Sequence, residues 1–306
     1  MLKIKPVKSL LMALLLLSFV ACEPYEDYIK DFDYSAVYFG TQKPLRTLVT
    51  RQDENQLEFK LGVVLAGLRE NKNGHWATFE IDTVLIDSIP GASGFTLLPA
   101  DWYNFSISEN KIEIPKGKFL GDFTISIDKA KFTADPLSLT KNYALPVRLI
   151  ETSADSVLRG NDVVARRDYT ILVVKYINEF SGTYYVRGEQ VELDINGNPV
   201  ETTRNEYYHV DWIKNKTRVL TTAALDDCEM TGIGIQTSDK VKVTFGADHA
   251  VTLSTVTIPV TDLGCSYADG VYHFQYEYTK GGKTYRVDEY MKQRNDPEND
   301  LRFEEW

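Results

Sequence analysis

The sequence has 306 residues, with 34 Lys and Arg against 44 Asp and Glu and a formal net charge of −10. A chain this acidic has no bulk attraction for nucleic acid or anionic lipid, and its length suggests about two domains once a leader is removed. Hydrophobic residues make up 43% and aromatics 12%, 18 of them Tyr, which is enough for real cores and favours strands.

The chain begins with Lys3, Lys5 and Lys8, followed by an apolar run from Leu10 to Val20. That run is well short of the ~20 residues a bilayer-spanning helix needs, and the pattern reads as a secretory signal. Phe19-Val20-Ala21-Cys22 resembles the lipobox of bacterial lipoproteins, where the peptidase cuts before a cysteine that carries lipid. Phe19 stands where Leu is usual. The resemblance implies a signal peptide over 1–21 and lipidation of Cys22; the alternative is an ordinary signal with an incidental cysteine. Cleavage would take the net charge from −10 to −13, because residues 1–21 hold three lysines and no acid. Residues 22–34, beginning CEPYEDYIKDFD, are acidic and lack an apolar period. They read as a tether and resemble the surface-export signal of Bacteroidetes lipoproteins. The address implied is the outer membrane, lipid-anchored and facing the exterior, with its periplasmic leaflet as the alternative.

From Ala36 onward the period is two. Leu57, Phe59, Leu61 and Val63 alternate with polar residues, as do Ala77, Phe79 and Ile81, then Phe123, Ile125 and Ile127, then Leu145, Val147 and Leu149. Each such strand buries one side, which predicts a two-layer antiparallel sandwich. Asp128 to Asp135 reads as a short helical turn. Tyr169 to Tyr176 is the last strand of this unit, and Asn178-Glu179 is a connector. A second unit opens on a long hairpin with its reversal at Asp194 to Pro199. Further strands follow, and Gly281-Gly282 is a pair suited to positive φ in a two-residue turn. Consecutive hairpins make a meander, closed as a small barrel or curled as a sandwich. The charged tail ends in Trp306, which predicts that it packs against the body.

The segments LGVVLAGLRENKNGHWATFEID, GFTLLPADWYNFS, KIEIPKGKFLGDFTISIDKAKF and NYALPVRLIE resemble the N-terminal Ig-like domain of a family of Bacteroidetes surface lipoproteins. That domain accompanies polysaccharide-utilisation and outer-membrane uptake systems. FSGTYYVRG and the strands after it resemble the lipocalin-like or sandwich-like domain often joined to it. The fold expected is all-β: an Ig-like antiparallel β-sandwich over 35–177, then an antiparallel β-meander barrel or sandwich over 178–306. The resemblance implies a non-catalytic glycan-binding surface protein whose partners are a polysaccharide or oligosaccharide and the proteins of an uptake complex. The rival reading is an adhesin-like structural or protein-interaction lipoprotein with no sugar site.

Catalytic signals are poor. There is no G-x-S-x-G, phosphate-cradling glycine loop or CxxC, and His75, His209, His249 and His273 lack metal-ligand spacing. No catalytic residue, metal or cofactor is expected. Asp226 to Glu229 reads as a solvated acidic loop, and Asp194 to Asn198 as a plain turn despite its likeness to a calcium loop. Cys228 and Cys265 either form a disulfide or stay as two thiols. Aromatic rings beside polar groups suit sugars, whose C–H faces stack while their hydroxyls are bonded. In NEYYHVDWI, alternation puts Tyr208, Val210 and Trp212 in the core and Tyr207, His209 and Asp211 on one outward strand face, the first candidate glycan site. Trp76, after the loop ENKNG, is the second. Trp102 and Tyr103 read as structural. Tyr272, Phe274, Tyr276 and Tyr278 read as core.

Overall fold

The structure is a computed structural model that describes residues 34–306. The expected signal peptide, Cys22 and the tether up to residue 33 lie outside the described residues. What is described is all-β, in three sheets.

The first half forms two of them. One has the order β10 (Ser156–Val157), β1 (Ala36–Tyr38), β3 (Gln56–Ala66), β8 (Leu120–Asp128), β6 (Tyr103–Phe105). The other runs β21 (Glu304–Glu305), β2 (Pro44–Thr50), β11 (Tyr169–Asn178), β9 (Tyr143–Thr152), β4 (His75–Ile81), β7 (Lys111–Ile114), with β5 (Thr96–Leu97) also on β9. Pairing is antiparallel except at β1–β10, β2–β11 and β5–β9, which are parallel. The expected alternation holds: Leu57, Leu61 and Val63 on β3, and Phe123, Ile125 and Ile127 on β8, all enter one core with Leu145, Val147 and Leu149 from the opposite sheet. Phe79, Phe105 and Phe123 form its aromatic centre, with ring centroids 5.1 to 5.5 Å apart. Trp102 and Tyr103 pack against that core, as expected.

Strands β9 and β11 are buried on both faces, so their apolar runs are nearly continuous. Their second face carries a smaller core of Ala144, Ile171 and Val173, covered by Leu85 and Ala92 from residues 82–98 and by Trp306. The tail crosses back from the second half to do this. Glu304 and Glu305 pair with Leu45 and Pro44, and the Trp306 indole donates to the Ile171 carbonyl at 2.6 Å. The Asp128–Asp135 segment does contain a helical turn, Lys129–Ala134, capped by the Asp128 side chain.

The second half forms one sheet: β17 (Val251–Thr255), β16 (Gln236–Phe245), β15 (Asp227–Ile233), β14 (Lys216–Thr222), β12 (Gly182–Leu193), β20 (Lys283–Gln293), β19 (Val271–Lys280), β18 (Val260–Ala268). The first and last hairpin series meet at β12–β20, and β17 and β18 lie side by side. The Asp262 side chain, accepting from the Leu253 N–H at 2.9 Å, bridges that seam. The result is a nearly closed eight-stranded up-and-down barrel, with β13 (Asn205–Tyr207) added along β12. Gly281 and Gly282 turn β19 into β20 at φ 61° and 77°, as the two-residue turn requires. Tyr272, Phe274, Tyr276 and Tyr278 all point into the barrel, as their alternation predicted.

One expectation is corrected here, and of two open alternatives one is found. Asp227, Cys228 and Glu229 do not sit in a solvated loop; they open β15, and Lys242 and Lys240 on β16 pair with the two acids. Cys228 and Cys265 do not pair; both thiols are free. Cys228 lies on β15 and Cys265 on β18; along the sheet β14, β12, β20 and β19 separate them, and across the seam β16 and β17 do. The Cys228 thiol donates to Asn178 Oδ1 at 3.2 Å, and Asn178 Nδ2 donates to the carbonyls of Ala224 and Asp227 at 3.1 Å. Asn178 thus ties the last sandwich strand to the barrel.

Candidate functional site

The long strand β12 positions the site. Its first half pairs with β14 through Gly182–Val186, and its second half with β13 through Gly188–Gln190. Both partners lie on the same edge, so the chain must leave the sheet after Tyr207 and return at Lys216. Residues 208–215 form that excursion. Asn215 holds it: its Oδ1 accepts from His209 N at 2.7 Å, and its Nδ2 donates to the carbonyls of His209, Asp211 and Trp212. Asp211 caps the 3₁₀ turn Trp212–Lys214.

This overturns the expected face assignment. Tyr207, His209 and Asp211 do not share a strand face, because the strand ends at Tyr207. Tyr207 points inward instead. Its hydroxyl donates to Glu289 Oε2 at 2.7 Å, passing over Gly188, where a side-chain carbon would lie 2.6 Å from Glu289 Cβ. His209 and Asp211 are exposed, but on the loop and with their polar atoms engaged in its backbone. Tyr208 and Val210, expected in the core, are 60% and 75% exposed. Trp212 is half-buried beneath Arg187, whose guanidinium stands 3.9 Å from its ring and 4.8 Å from that of Tyr208. Trp76 lies on β4 in the sandwich, with Lys111 Nζ 5.2 Å from its ring centroid. The structure does not bring it to the barrel residues.

The inward side of the same strands carries a polar network. Glu289 is fully buried. It pairs with buried Arg218 and also accepts from the Tyr276 hydroxyl at 2.8 Å. Arg218 Nη2 donates to the Gly234 carbonyl at 2.7 Å, and the Gly234 N–H donates to the Tyr276 oxygen at 2.8 Å. Burial pushes the Tyr207 hydroxyl well above the ordinary phenol range, and the Glu289 carboxylate adds to it. Burial likewise pulls the Lys216 ammonium, 3.4 Å over the Tyr207 ring, down to about 8. These groups lock β13, β14, β20 and β19 together.

The outward side is the candidate site. Register sets two neighbouring cross-strand rows: Arg187, Tyr290 and His273 in one, and Glu206, Glu189, Asp288 and Gln275 in the other. His273 and Tyr290 stack at 4.2 Å with their planes 4° apart. Asp288 accepts from His273 Nε2 and Gln275 Nε2, each at 2.8 Å, which fixes its carboxylate. Arg204 binds Glu189 and Glu201. Between the rows and the excursion lies an open pocket of about 430 Å³, lined by Gly188, Glu189, Glu206, Tyr208, Asp288 and Tyr290. That volume is within the range of small-ligand sites, ~300–1,000 Å³. Two rings offer apolar faces, and three carboxylates offer hydroxyl acceptors.

Sequence reasoning missed Tyr290, Asp288, Glu189 and Glu206. A signal existed, since Asp288 and Tyr290 alternate against Val287, Glu289 and Met291. Selecting them from 18 tyrosines needs the pairing of β12 with β13 and β20, which alternation does not supply. Among the described residues, no group of three His, Cys, Asp or Glu is placed to hold a metal ion. The Asp194 turn spends its Oδ1 on the N–H groups of Asn196 and Asn198. Among the same residues, no helix is long and apolar enough to cross a membrane, which says nothing of strands.

Comparison with known proteins bears on the fold. Residues 32–156 match a family model described as "-like, N-terminal domain". No curated protein matches the chain. An auxiliary nutrient binding protein from Bacteroides thetaiotaomicron is 15% identical over 86% of this chain and 95% of its own, at a TM-score of 0.40. A putative carbohydrate binding protein from Bacteroides ovatus is 13% identical over 72% of this chain and 67% of its own, at 0.34. A protein of unknown function from Bacteroides ovatus is 20% identical over 86% of this chain and 95% of its own, at a TM-score of 0.73, and with it this chain shares its fold.

Proposed function

We propose that this chain is a non-catalytic glycan-binding lipoprotein, anchored in the outer membrane through lipid on Cys22, facing the exterior, and serving polysaccharide capture beside an uptake complex. The observation that carries the reading is the pocket between Tyr208 and Tyr290, with Glu189, Glu206 and Asp288 around it. Rings that stack on sugar C–H faces beside fixed hydroxyl acceptors are what glycan recognition needs. Binding fits the site better than hydrolysis. Glu189 and Asp288 keep 40% and 36% of their side chains in solvent, so neither has the apolar enclosure that makes a carboxyl a general acid. The sandwich serves as the spacer between anchor and barrel.

The test is retention of the purified protein in gels containing a panel of polysaccharides. Tyr290→Ala should weaken retention of a bound glycan by about fivefold or more, with melting unchanged. If no polysaccharide retards the wild-type chain, the glycan reading falls and the adhesin-like reading replaces it. The anchor is tested separately. Cys22→Ser should shift the protein from the membrane fraction to the soluble one, and unchanged membrane retention would reject lipidation.

A further inference from the structure

We infer that the barrel pocket selects uncharged glycan residues and turns away acidic ones such as uronates. The inference rests on the glycan reading above and concerns the charge of the sugar, which that reading leaves open. The pocket lining holds three carboxylates, Glu189, Glu206 and Asp288, and no cationic side chain. Three basic side chains stand near it, and each is already engaged. Arg204 is shared between Glu189 and Glu201. His273 is bonded to Asp288 and stacked on Tyr290. Arg187 lies over the Trp212 ring and donates to the Val210 carbonyl at 3.3 Å. The Glu206 side chain has neither an ion pair nor a hydrogen bond among the described residues, so its charge lines the pocket uncompensated.

Carboxylates are acceptors only. They suit the hydroxyl donors of a neutral sugar, while a sugar carboxylate held within a few ångströms meets the unpaired charge of Glu206 beside two carboxylates whose basic partners, Arg204 and His273, are already engaged. The net charge of −10 adds a long-range field of the same sign. Arginine forks, the usual recognition element for a carboxylate, are missing from the lining.

The experiment compares neutral and uronate polysaccharides on the full chain, by affinity gel and calorimetry. The panel contains a mannan, a β-glucan and a xylan on one side, and polygalacturonate and alginate on the other. Binding to a neutral polymer should exceed binding to either uronate by at least about tenfold at low salt. Raising the salt should narrow the gap by strengthening the uronates alone, since only like-charge repulsion is screened. The double variant Glu189→Gln, Glu206→Gln should cut the neutral-to-uronate ratio by about tenfold whatever happens to absolute affinity, with melting measured alongside. A uronate bound as tightly as any neutral polymer overturns this inference and leaves glycan binding standing. An unchanged ratio in a folded double variant also overturns it. If no polymer of either class binds, the functional reading falls and this inference with it.

Discussion

The two cores of this molecule are built on opposite principles. The sandwich centre is hydrocarbon: Phe79, Phe105 and Phe123 meet edge and face among Leu, Ile and Val from both sheets. The barrel interior is also closely filled, but its largest buried side chains include Tyr184, Tyr276 and Tyr278, and at one end it encloses the Arg218–Glu289 pair. Hydrocarbon packing is non-directional and tolerates small displacements among many contacts. A buried ion pair with phenol donors is directional, and every member must be satisfied or the rest are left exposed to loss. The barrel uses this rigidity on the strands that carry the pocket. Glu289 lies between Asp288 and Tyr290, and Tyr207 lies between Glu206 and Tyr208. The inward bond between Glu289 and Tyr207 therefore sets the spacing of the outward rows.

Mutating one residue in each core brings out the contrast. Phe123→Ala in the sandwich and Glu289→Ala in the barrel should each cost about 3–5 kcal/mol in denaturant unfolding. Their rescue should differ. With Glu289 gone, Arg218 is a buried charge without its partner, so adding Arg218→Met should recover about 2 kcal/mol or more of the loss. No single neighbour change refills the Phe123 cavity so simply. If Arg218→Met deepens the loss in the Glu289→Ala background, the barrel core is held by packing like the sandwich, and the comparison fails.

A smaller effect belongs to Tyr207. Tyr207→Phe removes one donor from a carboxylate that keeps Arg218 and Tyr276, and should cost about 1–2 kcal/mol. The readout is a lowered melting temperature. Tyr290→Ala should do the reverse, losing glycan with little change in melting. A Tyr207→Phe variant that melts as wild type would return Tyr207 to the outer surface.

Legibility in the sequence divides along the same line. Alternation was enough where one face meets hydrocarbon: VYHFQYEYT and LEFKLGVV could be read residue by residue, and the structure places their apolar positions inside. It misled at NEYYHVDWI, which alternates as well as any strand. There Asn215 and Asp211 take over backbone groups that a longer strand would have given to β12, and local side-chain bonds win over the ladder. A period of two cannot report where a strand stops. Nor can it report which outward residues become neighbours, since Tyr208, Glu189 and Tyr290 come from three separate segments. Trp306 was legible for a simpler reason: a large apolar ring at the end of a charged tail has to be covered, and it is, by Phe95 at 4.8 Å.

The smallest effect concerns the two cysteines, both of which belong to the barrel, one inside its core and one packed against it. Cys228 is enclosed in the barrel and bonded to the joint residue Asn178; Cys265 is half-buried on β18, its sulfur 3.9 Å from Asp262 Oδ1. Were they bridged, breaking the bond would cost about 2–5 kcal/mol. As free thiols they carry no such constraint, and Cys265→Ser should move stability by no more than about 0.5 kcal/mol. Burial pushes both thiols up to about 12. A thiol whose folded value is raised above its unfolded one supports the native state fully below the unfolded value, and that support fades as pH rises toward about 12. Between these limits the unfolded chain is largely thiolate while the folded chain stays protonated. At pH 9, in a chain carrying Cys22→Ser, native protein should alkylate at least about a hundredfold more slowly than unfolded protein, and unfolded protein should take up two labels without any reductant. Uptake that waits for a reductant would mean a bridge, and would require β15 and β18 to meet in a sheet order different from the one described.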